Sequence, residues 1–327
     1  MNTAFAHPVT TGIVFATAGV LLLAGLVIGA MQLTGRGTPA FRRELWLRYG
    51  SWLVLLPLMF GPVLLGRAWT IGAVTLLALL CFSEFARATG LFREYLTTAV
   101  VALGILAVNF AALDHWYGFF VALWPLTVVV ILAASIPQDR PGGYIQRNAL
   151  AIFAFMLLGV GLGHLSYMAN DPGYRPLVLM LLAAVALNDV AAFTWGKLLG
   201  KKLFGGRKLV PNTSPNKTVA GALGALLTTT ALVAWLGKLI FAGTAMDHWP
   251  LLVFLGMLVS VAGQCGDLML SSIKRDVGIK DMGAALPGHG GILDRFNSLL
   301  LVAPAVFHLV GYYVGFGLQA PTRVITG

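Results

Sequence analysis

Residues 115–138 read HWYGFFVALWPLTVVVILAASIPQ, from His115 to Gln138, without one Asp, Glu, Lys or Arg. As an α-helix at 1.5 Å per residue this stretch reaches about 36 Å, enough to cross a hydrocarbon core of roughly 30 Å. Its apolar side chains follow one another without the in-and-out alternation of an outer-membrane barrel strand, so it reads as a helix lying in lipid. The same charge-free texture recurs at 1–35, 49–66, 68–83, 95–113, 148–170, 218–237, 248–266 and 296–322, and at 176–196 with only Asp189 inside. Ten spans of about 20 residues leave only short connectors between them. The expected fold is therefore an all-α polytopic membrane protein. It is one integral domain over 1–327, a bundle of about ten transmembrane helices.

Composition excludes the alternatives. The chain of 327 residues is 58% hydrophobic and 10% charged, against roughly 45–50% and about 25% in a soluble domain. A water-soluble globule and a disordered chain both fall away. The first run lacks a basic leader region and outlasts a signal-peptide core, so it reads as a span and not as a cleaved leader. Cys81 and Cys265 lie in or at the edge of spans, which argues against a disulfide framework. The pair 49–66 and 68–83 is short and divided by Arg67 alone. A re-entrant or tilted pair is the alternative to two full crossings there, and the span count is read as nine or ten.

The 22 Lys and Arg residues against 12 Asp and Glu would suggest nucleic acid in a soluble protein. Here the excess is topological. Counting gaps between spans from the N-terminus, the even-numbered gaps hold four, two, two, six and four basic residues, so 18 of the 22 fall on one face. By the positive-inside rule that face is cytoplasmic and both termini lie outside, an N-out/C-out arrangement with no call for nucleic acid. Two basic cytoplasmic loops stand out, 197–217 and 272–297.

Charge inside a bundle is costly and marks function by default. Glu84, in Ser83-Glu84-Phe85-Ala86-Arg87, reads as an interfacial partner of Arg87 three residues on. Asp189 follows Asn188 on a stem too short to snorkel, leaving a hydrogen-bonded or a functional role open. The accessory basic loop over 188–218 interleaves lysines with Gly200 and Gly205-Gly206. That mixture suits phosphate groups, of a ligand or of lipid headgroups.

The stretch 266–297 is more specific. Asp267, Ser271 and Lys274 stand at i, i+4 and i+7, on one face of a helix continued from the ninth span. Asp267 and Asp294 would repel unless a cation sat between them, and hard oxygen donors with phosphate partners suit Mg²⁺. The run Pro287-Gly288-His289-Gly290-Gly291 lets backbone and one imidazole crowd a ligand.

The run Ser271-x-Ile273-Lys274-Arg275, then Lys280-Asp281, then Pro287-x-His289-Gly290-Gly291-x-x-Asp294-Arg295 closely resembles the signature of the phosphatidate cytidylyltransferases, or CDP-diacylglycerol synthases. Asn188-Asp189, Ser214-Pro215-x-Lys217-Thr218 and Glu84-Phe85-Ala86-Arg87 are similar to further features of that family. The resemblance implies transfer of a cytidylyl group from CTP to phosphatidic acid for phospholipid synthesis, giving CDP-diacylglycerol and pyrophosphate. It also implies Mg²⁺ as cofactor, the lipid bilayer as partner, a homodimer, and a bacterial-type inner membrane with the catalytic loops cytoplasmic. On that basis Asp267, Lys274, Asp294 and His289 are the catalytic candidates, and Asp267, Asp294 and Asn297 the metal candidates. Ser271, Arg275, Lys280, Asp281, Gly290, Gly291, Arg295, Ser214, Lys217 and Asp189 are candidates for binding substrate. For His289, protonating pyrophosphate and orienting the turn both stay open.

Two departures point to a divergent paralogue. The signature closes with an acid where this chain has Asn297, which offers a carbonyl oxygen but no charge. Family members also often carry Glu at the position of Leu270. The rival readings are another CTP-dependent lipid enzyme, such as a polyprenol kinase or a different lipid cytidylyltransferase, an inactive paralogue, and a cation-coupled transporter.

Overall fold

The computed structural model describes residues 4–285, 290–316, 318 and 323–327. Ten helices among them are long and apolar enough to cross a membrane. They are α1 (Pro8–Leu33), α2 (Pro39–Leu65), α3 (Arg67–Thr89), α4 (Tyr95–Leu113), α5 (Tyr117–Ala134), α6 (Tyr144–Met168), α7 (Tyr174–Phe204), α8 (Val219–Ile240), α9 (Trp249–Asp276) and α10 (Leu293–Val314).

The doubtful pair 49–66 and 68–83 is two full helices of 27 and 23 residues, about 40 and 35 Å long. The charge-free windows understate them because Arg42, Arg43, Glu44 and Arg48 ride on the first turns of α2, and Glu84 and Arg87 on the last turns of α3. Charged ends of a spanning helix can lie beyond the hydrocarbon, so a window that stops at the first charge cuts such helices short.

Polar bonds between loops sort into two sets. Glu84 bonds to Ile292 and Leu293 and Arg275 to Thr213, while Arg147 and Lys217 form ion pairs with Glu94 and Asp267. All of these lie at or beside the even-numbered, basic gaps. Arg67 reaches Asn170 and Leu113, Arg175 reaches Val63, and Asp114 reaches Val324 to Thr326, all at the odd-numbered gaps. The parity inferred from charge is therefore a property of the packing as well. The first set marks the basic end of the bundle.

Around the site, α7, α8, α9 and α10 pack together, α8 against both α7 and α9. The α7–α8 contact is close enough that a Cβ at Gly221 would stand 2.4 Å from the Ala192 carbonyl oxygen, the small-residue packing that apolar helices use in lipid. Asn188 on α7 ties the three helices together. Its Oδ1 accepts from Thr229 Oγ1 on α8 at 3.0 Å and from Ser260 Oγ on α9 at 2.6 Å, and Gln264 donates to Ser260 Oγ at 3.1 Å.

Among the described residues one element departs from helix, in the accessory basic loop. The strands β1 (Lys208–Val210) and β2 (Ser214–Thr218) pair antiparallel, Lys208 opposite Thr218 and Val210 opposite Ser214. Thr218 ends the hairpin and starts α8, its Oγ1 accepting from the Gly221 N–H at 3.1 Å, a side-chain N-cap. Lys197, Lys201 and Lys202, expected in a loop, lie on the C-terminal turns of α7, where cations suit the helix dipole.

Candidate functional site

The first turn of α10 leaves backbone N–H groups without helical partners, and α3 supplies an acceptor. Glu84 Oε1 accepts from Ile292 N and Oε2 from Leu293 N, both at 2.9 Å. Gly283 and Gly291 make room for it: a Cβ at Gly291 would lie 2.5 Å from Oε2, and one at Gly283 would lie 2.6 Å from Oε1. The expected partner of Glu84 was Arg87, which is exposed. Two charge-assisted bonds in a part-buried setting outweigh a surface i,i+3 ion pair worth about 0.2–0.5 kcal/mol.

Asp294, on the same turn, works in the other direction. Its Oδ2 accepts from Met282 N at 2.8 Å and Gly291 N at 3.1 Å, and its Oδ1 pairs with Lys274 Nζ at 2.7 Å. The pair is enclosed, with side-chain exposures of 4% for Asp294 and 12% for Lys274. Asp294 thus clasps both flanks of the Gly-rich run. Within that run 286–289 lie outside the described residues, and Pro287, Gly288 and the candidate His289 with them. Gly290, at φ +81°, sits where a Cβ would come within 3.3 Å of Asp281 Oδ1. Lys280, Asp281 and Arg295 are exposed around it, and Gly291 is buried.

Asp267 lies on α9 nine residues before its end at Asp276, about 14 Å along the axis. Its Oδ1 accepts from Asn297 Nδ2 at 2.7 Å, and its Oδ2 pairs with Lys217 Nζ from β2. Asn297 spends its own Oδ1 on the Ser298 N–H at 2.7 Å. Arg275 Nε donates to Thr213 O at 3.3 Å and so fastens the hairpin turn to the end of α9. Asp189 is exposed on α7, within the fields of Asp267, Lys217 and Arg295. Neighbouring Asn188, some 100° round the helix, is the buried one of the two.

The three residues expected on one face of α9 do share it. Asp267 and Lys274 both reach α10, and Ser271 is buried between them in sequence. Ser214 opens β2, half-buried. The structure therefore brings Asp267, Lys217, Asn297 and Asp189 to one place. Lys274, Asp294, Gly290, Gly291 and Asp281 gather at the adjoining turn. Leu270 is 1% exposed and part of the apolar core, so it fills packing space.

Among the described residues no group of three His, Cys, Asp or Glu side chains is placed to hold a metal ion. Mg²⁺ does not need one, since it is commonly held by one or two carboxylates together with substrate phosphates and water. The donor chemistry at Asp267 fits that mode. It is a hard carboxylate, a quarter exposed, within the field of a second acid, Asp189. Asp294 is more enclosed; the oxygens of both carboxylates are engaged, those of Asp294 by Lys274 and two backbone amides and those of Asp267 by Asn297 and Lys217.

Three features here went unread in sequence. The Glu84 bridge depends on glycines some 200 positions away. The Thr218 cap was visible in principle, as a Thr immediately before an apolar run. The Asn188 network had a signal in its lone polar side chain beside Asp189, but which of the two turns inward is decided by tertiary packing.

This is a helical membrane protein whose basic end gathers acids and lysines from four helices and a hairpin, the equipment of a site for phosphate groups. A model of the cytidylyltransferase family matches residues 46–313, and the chain belongs to that family. It is 31% identical over 277 residues to the uncharacterized protein YnbB of Escherichia coli K12, covering 82% of this chain and 88% of that one. It is 32% identical over 233 residues to the phosphatidate cytidylyltransferase of Staphylococcus haemolyticus, covering 64% and 85%. The enzyme of the same name from Staphylococcus saprophyticus is 39% identical over 156 residues, 48% of this chain and 56% of its own length.

Proposed function

We propose that this protein transfers the cytidylyl group of CTP to phosphatidic acid, at the cytoplasmic face of a bacterial inner membrane, and that it works as a homodimer. The observation that carries the reading is the Lys217–Asp267 pair, which joins the two basic segments, far apart in sequence, into one cluster.

A lipid phosphate oxygen attacks the α-phosphorus of CTP. A P–O bond forms, the α–β P–O bond breaks, and pyrophosphate leaves with the electron pair. A phosphate monoester is already largely ionised at neutral pH, so the chain need not supply a strong base. Its task is to bring two polyanions together and hold them in line. Lys217 and Lys274 suit this because Asp267 and Asp294 fix where their ammonium groups point. Arg275, Lys280 and Arg295 add positive charge around the turn, and the Gly290-Gly291 backbone, held by Asp294 and Glu84, permits close approach. Ser214, Ser271, Asp281 and Asp189 complete the surface that substrate meets. Asp267, with Asp294 as second candidate, would hold Mg²⁺, which when bound neutralises phosphate charge. Asn297 orients Asp267 through its amide nitrogen. His289, in the same glycine run, either protonates the leaving pyrophosphate or orients the turn.

A second acceptor has support in the neutral Asn297, which sets an amide beside Asp267 where the family signature has an acid: a phospholipid or polyprenyl phosphate other than phosphatidic acid. The test for both is purified protein in liposomes with CTP labelled at the α- or the γ-phosphate, a panel of lipids and a Mg²⁺ titration. Entry of α-label into phosphatidic acid is the expected result. γ-Label in lipid would make the protein a kinase. Ion-driven solute uptake with no lipid product would make it a transporter.

A further inference from the structure

An apolar groove of about 350 Å³ runs between α2, α3, α6, α7 and α10, toward the small end of the roughly 300–1,000 Å³ of ligand pockets. Its floor is buried, with Val74, Val178 and Leu299 at 6%, 1% and 2% exposure, while its rim is open, with Leu58 at 64% and Leu76 at 58%. In a bundle surrounded by lipid such a slot opens sideways onto hydrocarbon. The one hydroxyl in its wall, Thr70 Oγ1, already bonds to the Pro62 and Gly66 carbonyls. The groove therefore offers nothing to a headgroup or a nucleotide, whose polar atoms would be stripped of water without replacement.

Two placements connect the groove to the site. At one end its wall is Ile292, which caps α10 and is itself bonded to Glu84, with Phe296 and Leu299 on the turns of α10 that carry Asp294 and Asn297. Leu80, one turn before Glu84 on α3, stands at that same end. Toward the other end the wall reaches Thr70 beside the α2–α3 junction. From Leu80 to Thr70 the groove follows α3 for about 15 Å, half of a hydrocarbon core of roughly 30 Å and so the depth of one leaflet.

We propose that this groove holds one acyl chain of the acceptor lipid while its phosphate lies at the Gly290–Arg295 turn, and that the end at Thr70 limits the chain length accepted. The inference rests on the lipid-acceptor reading above and adds a specificity subsite to it.

Ala73→Trp fills the half of the groove nearer Thr70 without touching any residue assigned to the site. With it, kcat/KM for dioleoyl phosphatidic acid is expected to fall at least tenfold, while dihexanoyl phosphatidic acid stays within twofold. Equal changes for both lipids, or no change in either, would overturn the proposal.

A second measurement needs no turnover. Phosphatidic acid carrying a diazirine near the acyl terminus is photolysed with the full protein in phosphatidylcholine liposomes, and adducts are mapped by mass spectrometry. Adducts within 70–80 of α3 that excess dioleoyl phosphatidic acid removes and Ala73→Trp abolishes support the groove. Adducts spread over lipid-facing helices and indifferent to competitor refute it. Competed adducts without cytidylyl transfer would sink the proposed reaction but keep the groove, and transfer without competed adducts would do the reverse.

Discussion

Glu84→Gln tests whether the α3–α10 bridge organises the site. In the native protein one carboxylate receives two backbone N–H groups at 2.9 Å, each such bond to a charged group contributing about 1.5–3 kcal/mol. Gln fits the same space but presents one oxygen. Its NH₂ then faces the second N–H, donor against donor, and the remaining bond becomes neutral at about 0.5–1.5 kcal/mol. The organised turn therefore loses about 2.5–4.5 kcal/mol, which at 1.4 kcal/mol per decade is a drop of roughly 60- to 1,600-fold in kcat/KM. The assay is CTP-dependent labelling of lipid, alongside hydrogen exchange of the amides of Met282, Gly291, Ile292 and Leu293, which should lose protection. Arg87→Ala is the control and stays within twofold, because Arg87 is exposed and plays no part in the bridge. A Glu84→Gln protein with native turnover and native protection would refute the reasoning. Equal losses in both variants would restore the local ion pair read from sequence.

How much could be read in advance depended on the range of the interaction. The ten helices and their parity came from local texture, because a run such as 115–138 must cross lipid whatever its neighbours do. The face carrying Asp267, Ser271 and Lys274 followed from helical spacing alone. Glu84 was misread because backbone N–H donors carry no letter code, and Ile292 and Leu293 look like ordinary apolar residues until the fold brings them to α3. Asn188 and Asp189 are adjacent letters 100° apart on a helix, so only the positions of α8 and α9 decide that Asn188 accepts two hydroxyls while Asp189 faces the charged cluster. The hairpin was hidden for a related reason. Its register is closed by Thr218, whose capping role depends on α8 beginning at Val219, whereas the charge pattern showed only a basic loop. The family was more legible than the geometry, since the spacing of acids, bases and glycines survives in sequence even where their partners do not.

Lys217→Met should raise the KM for CTP by roughly 10- to 100-fold, the equivalent of one lost charge-assisted bond of about 1.5–3 kcal/mol, with little loss of Tm; an unchanged KM would remove Lys217 from the nucleotide side. Asn297→Asp is expected to maintain or raise turnover while lowering the half-saturating Mg²⁺ concentration, since it sets a second carboxylate beside Asp267. Lost activity with an unaltered Mg²⁺ dependence would contradict that. Asp294→Asn breaks an enclosed ion pair at a cost of about 3–5 kcal/mol and should abolish turnover and lower Tm; unchanged turnover would strike Asp294 from the site. The last prediction concerns the opposite end of the bundle. There Asp114 accepts from the hydroxyl of Thr326 at 2.5 Å and from the N–H groups of Ile325, Thr326 and Val324 at 2.6, 3.0 and 3.1 Å, while the Arg323 guanidinium stacks on Trp116 at 4.6 Å. The Thr326 hydroxyl first, and then the three amides, hold the Asp114 carboxyl below its ordinary value against the opposing pull of burial. With the folded pKa depressed, the detached state takes up a proton first, so the clasp is fully present above the ordinary carboxylate pKa and is lost as pH falls through the depressed one. Amide exchange at 324–326 should accordingly be slow at neutral pH and show lost protection in acid beyond the intrinsic rate change, and Asp114→Asn should remove that extra dependence. Native-like protection at acid pH would mean that something other than the carboxylate holds the tail.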